Sequence, residues 1–441
     1  MSNTQKLGFW SIVLLGINAI IGSGIFGLPG KAYAFMGPSS ILVLLFCMVL
    51  SVSIALCFAE ASSWFNKNGG PYIYAKEAFG DFFGYEVGVM KWAIGMLAWA
   101  AMANFFAVTI ATVWPAAAEP FMKNVIVTIV ILGLGLINLA GVKTSKMLNN
   151  FITIGKLVPL AFFIIVGIFF IKGGNFKPFV IVPTEETFTS AFVAASISLF
   201  YAFTGFESLA VAAKDMENPR KNVPKALVTV MGLVSLVYLL ILVVSIGVLG
   251  GNLSGADMPV VDAARAMLGD FGAWVITIGT LISVGGINIA ASFLTPRSGV
   301  ALADEAVLPE FISKQNSRGV ATWAVIITTI GTLGFAWSGS FHTLLQISVI
   351  SRFIQYIPTC IAVLVFRKKY SNQESGFKIP GGAFVPVLAV AISVWLLIEA
   401  GIADPKKILF GLGGLVVIAP FYLLRKKAIV AHNAKERAEN K

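Results

Sequence analysis

The sequence predicts an all-α integral membrane protein with twelve transmembrane helices, and three observations lead to this class. Of the 441 residues, 57% are hydrophobic and only 12% are charged, whereas a typical soluble domain carries about 25% charged residues. The mean hydropathy is +0.87. Long stretches with almost no charge recur along the chain, many of them at or above the roughly 18 residues that indicate a membrane helix. They lack the short, alternating pattern of membrane β-strands.

Twelve apolar segments follow one another, and we number them spans 1 to 12. They cover residues 9–34, 38–59, 84–113, 122–141, 149–171, 189–212, 224–250, 271–296, 320–337, 341–366, 384–403 and 408–424. The first is too long for a cleavable signal peptide and is expected to remain as a span. One transmembrane domain is therefore expected over residues 1–425. The polar tail that begins at Arg425, with residues 426–441 in the cytoplasm, is expected to be disordered.

The basic residues predict that both termini lie in the cytoplasm of a cell whose inner or plasma membrane holds the protein. If the N-terminus is inside, 22 Lys and Arg residues fall in inner segments and 7 in outer segments. Cytoplasmic loops of membrane proteins carry such an excess. The net charge of +11 is thus a topology signal, and nucleic acid is not an expected partner. The expected partners are the lipid bilayer, a small substrate and, for coupling, protons.

Glycines interrupt spans 1 and 6 near the middle of the membrane. Span 1 contains residues 22–24 (GSG), and span 6 contains residues 203–207 (FTGFE). Interrupted spans at corresponding positions of two halves indicate the binding site of a secondary transporter. An offset of five spans predicts an inverted repeat, with residues 1–171 as the first unit and 189–366 as the second. Two added helices, residues 384–424, complete the domain.

An unwound stretch inside the membrane exposes amide and carbonyl groups that lipid cannot satisfy, so these groups must face protein, a cavity or a ligand. Free amides at the start of a half-helix attract a carboxylate, and free carbonyls at the end of the other attract an ammonium. One site that offers both groups suits an α-amino acid. Close helix packing is the alternative role of each glycine taken alone.

Further motifs follow in a characteristic order along the chain. They are residues 18–26 (NAIIGSGIF), 58–61 (FAEA), 68–74 (NGGPYIY), 77–80 (EAFG), 203–207 (FTGFE), 217–220 (ENPR), 223–226 (VPKA), Arg297, 303–305 (ADE) and 308–309 (LP). In this order the sequence resembles the amino acid–polyamine–organocation (APC) superfamily over nearly its whole length. The resemblance implies a permease that works by alternating access, in which spans 1, 2, 6 and 7 rock as a bundle against the remaining scaffold.

The resemblance also implies particular substrate contacts. Amides around Ser23 and Gly24, with the Ser23 hydroxyl, would hold a carboxylate, and the carbonyls of Ile20, Tyr201 and Thr204 would hold an ammonium. The complete set of implied substrate-binding positions is Ile20, Gly22, Ser23, Gly24, Ile25, Tyr201, Phe203, Thr204 and Gly205. Tyr201 stands where a related antiporter has a gating tryptophan, so it would cap the substrate from outside. Packing between helices is the alternative role of this ring.

Charged residues inside spans are costly and are therefore candidates for function. By resemblance, Lys156 would take the place of a bound sodium ion between spans 1, 5 and 8 and take part in coupling; alternatively, it reaches the inner interface. Glu207 would cap the second half of span 6 or act as a protonation or gating switch. Arg352 would pair with Glu207 or Glu60, or contact an acidic substrate. Lys91 is expected to reach the inner interface.

Several other functions fit the sequence less well. The spans hold too few His, Asp, Glu and Cys residues for a membrane enzyme, and no catalytic residue, metal site or cofactor is expected. Paired breaks in one chain favour a transporter over an ion channel. The sequence therefore predicts a sodium-independent amino acid permease, for neutral or small substrates, that is proton-coupled or exchanging. A polyamine or cationic amino acid transporter is the alternative, although no additional acidic residue lies near Ser23 or Thr204.

Overall fold

A computed structural model describes residues 8–65, 70–141, 146–211, 216–371 and 375–439. Parts of two motifs are affected: residues 68–69 lie outside this set, and residues 219–220 have no described side chain. The described chain is dominated by helices. In chain order they are α1 (Phe9–Ile20), α2 (Ser23–Gly27), α3 (Pro29–Met36), α4 (Ser40–Trp64), α5 (Pro71–Phe79), α6 (Asp81–Ala111), α7 (Pro120–Leu139), α8 (Lys146–Gly167), α9 (Phe188–Ala202), α10 (Glu207–Val211), α11 (Pro219–Leu249), α12 (Pro259–Asp304), α13 (Thr322–Ser338), α14 (Phe341–Lys369), α15 (Phe384–Ala403) and α16 (Pro405–Glu439).

The predicted spans correspond to these helices in order. Ten segments of the described chain are long and apolar enough to cross a membrane, and α1 and α13 are shorter apolar helices. Helices α1 to α3 together form span 1, and α9 with α10 forms span 6. Spans 2, 3, 4 and 5 are α4, α6, α7 and α8, while spans 7 to 12 are α11 to α16. The all-α, twelve-span architecture predicted from the sequence is therefore confirmed.

Span 1 is broken at Ile21 and Gly22. Helix α1 ends because Ile21 adopts an extended backbone and Gly22 adopts φ −133° and ψ −143°, outside the helical region. The chain becomes helical again at Ser23. Leu28 has helical angles, and its amide donates to the Gly24 carbonyl at 3.0 Å. Helices α2 and α3 therefore continue one another across Leu28.

Span 6 is broken between α9 and α10. Its hinge is Gly205, whose φ of +112° lies in the region that glycine adopts without steric cost. Just before it the chain tightens into turns, in which the Phe203 amide donates to the Phe200 carbonyl at 3.1 Å and the Thr204 amide donates to the Tyr201 carbonyl at 3.0 Å. The two interruptions lie five spans apart, as the sequence predicted.

Two features of the fold were not anticipated. Helix α12 is kinked at Leu268 and Gly269, where Gly269 has φ +63°, so a separate helical segment precedes span 8. The prediction of a disordered tail is wrong for the described residues, because α16 continues to Glu439. Arg425 Nη2 donates to two backbone carbonyls of the loop after α12, at 2.9 and 2.8 Å. Ile429 is buried, and these contacts explain why the polar segment is ordered.

The centre of the molecule is built around the two broken spans. Helix α11 packs against α1 and α4, while α12 and α14 pack against α6, and α9 contacts both α3 and α4. Lipid is as apolar as the side chains, so close van der Waals packing, rather than the hydrophobic effect, holds such helices together. This arrangement places both breaks in the protein interior, where their free backbone groups can only meet protein or a cavity.

Candidate functional site

The two breaks lie against each other, and glycine is required on both sides. A Cβ atom added to Gly24 would lie 2.7 Å from the Ala202 Cα atom. A Cβ atom on Gly205 would lie 2.3 Å from the Ala19 carbonyl oxygen. Both distances are shorter than real Cβ atoms tolerate, so the two half-helix pairs approach each other through backbone atoms.

We expect Gly205→Ala to destabilise the protein by more than about 2 kcal/mol, because it adds the strain of a positive φ and an overpacked contact. Thermal unfolding of the purified protein measures this loss. Gly232→Ala is the matched control, because a Cβ atom at Gly232 would meet nothing within 4 Å. Equal unfolding temperatures for the two variants would contradict the contact between the breaks.

Tyr238 of α11 joins the two breaks. Its hydroxyl lies 3.2 Å from the Ile20 carbonyl oxygen and 3.0 Å from the Ala202 carbonyl oxygen, at the ends of α1 and α9. Each carbonyl belongs to the last residue of its helix, where no later amide of the same helix can donate to it. Sequence reasoning missed this residue. The available signal was a tyrosine hydroxyl, with Ser235 one turn before it, in the mostly apolar middle of span 7.

Lys156 of α8 binds the end of α1. Its ammonium is fully buried and donates to the carbonyl oxygens of Asn18 at 3.2 Å and Ile21 at 2.7 Å. Ser283 of α12 lies 3.4 Å from the same Ile21 oxygen. A positive charge is favourable at the carbonyl end of a helix. The side chain therefore points into the span 1 break and does not reach the inner interface.

Glu207 is the first residue of α10, and its carboxylate accepts hydrogen bonds from three groups. Its Oε2 atom accepts from the Gly205 amide at 3.0 Å and from the Tyr356 hydroxyl at 3.1 Å. Its Oε1 atom is paired with the Arg352 guanidinium. Both charged residues are buried, so each compensates the charge of the other. Of the two partners considered for Arg352, the structure has Glu207.

Glu60 belongs to a different pair, near the C-terminal end of α4. Both of its carboxylate oxygens accept from the Arg367 guanidinium of α14, each at 2.6 Å. The Ile379 amide, in the segment between α14 and α15, donates to Oε2 at 2.8 Å. The Glu60 side chain is fully buried. This bidentate pair joins the C-terminal ends of spans 2 and 10.

Lys91 of α6 is half-buried. Its charge interacts with those of Glu207 and Arg352. Lys91 is seven residues before Ala98, so both lie on one face of α6, about two turns apart. The expectation that Lys91 reaches the inner interface stays a prediction.

A small cavity lies between the breaks and helices α6, α12 and α14. It has about 80 Å³ of space for water-sized molecules. Six of the predicted binding positions line it: Ile20, Gly22, Gly24, Tyr201, Thr204 and Gly205. Ser23, Ile25 and Phe203 are buried but do not line it. The opposite wall belongs to residues that sequence reasoning did not place, with the exception of Arg352.

Aromatic rings cover the other side of Tyr201. Its ring meets Phe341 edge-on, with centroids 6.4 Å apart, and Phe341 lies 4.6 Å from Phe105. Tyr201 therefore both lines the cavity and packs between helices, so the two roles considered for it are compatible.

A comparison with known families identifies the chain. The family model described as amino acid permease matches residues 7–416. The chain belongs to the amino acid permease family. This match extends from the start of α1 into α16, so it covers both breaks and every wall of the cavity.

Individual relatives agree with this assignment. The permease is 34% identical over 424 residues to an uncharacterized transporter of Mycobacterium tuberculosis, across 90% of this chain and 87% of that protein. It is 28% identical to the serine/threonine exchanger of Bacillus subtilis, across 96% and 97% of the two chains. It is also 26% identical to the methylthioribose transporter of that organism, across 90% and 88%.

Proposed function

We propose that this permease carries small, neutral amino acids by alternating access, without sodium, and coupled either to protons or to exchange of a second amino acid. The observation that carries the proposal is the cavity bounded by both helix breaks. An α-amino acid presents a carboxylate and an ammonium on one carbon atom. Amides that begin α2 and carbonyls that end α1 and α9 are suited to these two charges.

The size of the cavity favours a small side chain. The cavity has only about 80 Å³ of space for water-sized molecules, which leaves little room beyond the two charged groups of an amino acid. Ala98 and Met102 of α6, with Ile287 and Ala291 of α12, make much of the wall opposite the breaks apolar. The likeness to a serine/threonine exchanger supports the same range of substrate sizes.

The contacts of Lys156 support transport without sodium. Its ammonium joins α8 to two carbonyls of α1, and Ser283 adds a contact from α12. These are the three spans between which a lysine replaces sodium in the sodium-independent members of the superfamily. A fixed ammonium already supplies the positive charge that the carbonyls attract.

The charges beside the cavity disfavour the alternative of polyamine or cationic amino acid transport. Arg352 lines the cavity, and Lys91 lies within electrostatic range of it. Glu207 compensates one of these two cations through its pair with Arg352. A substrate with a second positive charge would therefore be repelled.

The proposal is tested first by binding. Each of the twenty amino acids, putrescine, spermidine and methylthioribose is added to the detergent-purified protein, and thermal unfolding is followed. A ligand at 100 times its dissociation constant stabilises the folded state by about 2.7 kcal/mol. We expect small neutral amino acids to raise the unfolding temperature most. Stabilisation by putrescine, spermidine or methylthioribose alone would contradict the proposal.

Coupling is tested by uptake into proteoliposomes. We expect the initial rate for a stabilising amino acid to be the same, within about twofold, in sodium and in choline buffers, because an occupied cation position needs no added ion. A pH gradient distinguishes proton coupling from exchange, which needs amino acid on the opposite side. A rate that depends strongly on sodium would overturn the assignment of Lys156.

A further inference from the structure

Two residues on the cavity wall opposite the breaks each carry a hydrogen-bond donor that has no acceptor in the described part of the chain. Trp99 of α6 and Arg352 of α14 both line the cavity and are both buried. Neither the Trp99 indole Nε1 nor the Arg352 Nε atom has a hydrogen-bond partner among the described residues. An indole N–H and a guanidinium N–H can donate but cannot accept. Only an acceptor atom can satisfy them.

The pair between Arg352 and Glu207 does not remove this requirement. The carboxylate takes the Nη1 donor of the guanidinium and is further occupied by the Gly205 amide and the Tyr356 hydroxyl. It therefore fixes the guanidinium at the cavity wall while Nε stays free. Buried donors that lack a partner are rare in native proteins, so an acceptor is expected at this wall.

Waters would supply these acceptors when no substrate is bound, and a substrate would displace the waters. A ligand that cannot reproduce the hydrogen bonds of a displaced, ordered water loses affinity. An alkyl side chain against this wall would therefore leave both donors without a partner. A hydroxyl or carboxylate oxygen would replace the water as acceptor.

We propose that Trp99 and Arg352 form a side-chain subsite, which selects amino acids with an acceptor oxygen on a short side chain over alkyl side chains of the same size. This rests on the proposed function, because the amino acid backbone must be held at the breaks for its side chain to face this wall. The shared chemistry is an acceptor oxygen. Its source is either a hydroxyl, as in serine and threonine, or a carboxylate, as in aspartate.

Matched ligands test the subsite. The dissociation constants of serine and alanine, of threonine and valine, and of aspartate are measured for the purified protein by calorimetry. In the unaltered protein we expect serine to bind at least about 10-fold more tightly than alanine, which corresponds to one hydrogen bond to a charged donor. Comparison of serine with aspartate then identifies the source of the oxygen.

Two variants each remove one donor. Arg352→Lys keeps a positive charge opposite Glu207 but loses the planar array of donors, and Trp99→Phe keeps an aromatic ring without the N–H. We expect each variant to reduce the preference for serine over alanine by about 3- to 10-fold, with little change for alanine. Arg265→Lys and Trp323→Phe are matched controls, because both side chains are exposed and distant from the cavity.

The outcomes distinguish the subsite from the proposed function. If alanine binds and neither serine nor aspartate binds more tightly, the subsite is wrong while the proposed function stands. If no amino acid binds, the proposed function fails. Equal losses for serine and alanine in both variants would indicate a structural role alone and would overturn the subsite. The ratio in the unaltered protein tests the subsite even if a variant does not fold.

Discussion

Lys156→Met is expected to lower the rate of transport by at least about 100-fold, because it removes two charge-assisted hydrogen bonds, each contributing about 1.5–3 kcal/mol, from the break in span 1. Methionine retains most of the length of the side chain but leaves the carbonyls of Asn18 and Ile21 without their ammonium partner. Uptake of a stabilising amino acid into proteoliposomes measures the effect.

Lys172→Met is the control for this variant. Lys172 lies in an exposed segment after α8, so the same substitution there should leave uptake unchanged. Thermal unfolding shows whether the Lys156 variant is still folded. Normal uptake by Lys156→Met would mean that the ammonium organises neither the break nor the transport cycle.

Glu207→Leu is expected to lower the free energy of unfolding by about 3–5 kcal/mol, because it leaves the buried Arg352 charge without its partner. The double variant Glu207→Leu with Arg352→Met should recover much of this loss, since two apolar side chains can replace a buried ion pair at little cost. Denaturant unfolding of the single and double variants measures both effects. For each variant, the dependence of the unfolding free energy on denaturant concentration is fitted separately.

The single variant Arg352→Met completes this comparison and gives the interaction energy of the pair. Additive effects of the two substitutions would contradict a buried ion pair. The double variant also separates stability from recognition. It should be stable, yet it should lack the preference for serine over alanine that we assign to the Arg352 donor.

The sequence alone was sufficient to place both breaks, because glycines near the middle of two long apolar spans, five spans apart, mark where each helix can unwind. It also offered Glu207 as one of two partners for Arg352. It missed Tyr238 and Trp99, since a single sequence does not show which face of one helix meets another.

The tail was mispredicted for a different reason. Its composition is polar, and polar segments cannot bury enough apolar surface to fold alone. Here the order comes from contacts with distant parts of the chain. Arg425 binds the loop after α12, and the Asn433 amide donates to the carboxylate of Asp81, at the start of α6, at 2.9 Å. Local composition carries no information about such partners.

The contacts at the centre of the permease are of two mechanical kinds. Where α1, α2, α9 and α11 touch one another, the links are short and stiff: backbone against backbone at Gly24 and Gly205, and a single hydroxyl at Tyr238.

Where α1, α4 and α10 meet α8 and α14, the charged links are long side chains: Lys156 to α1, Arg352 to Glu207, and Arg367 to Glu60. Long side chains have several staggered rotamers, so these charged links can adopt more than one length. If the bundle rocks as we propose, its stiff contacts would lie inside the moving body and its adjustable contacts along the surface where it slides.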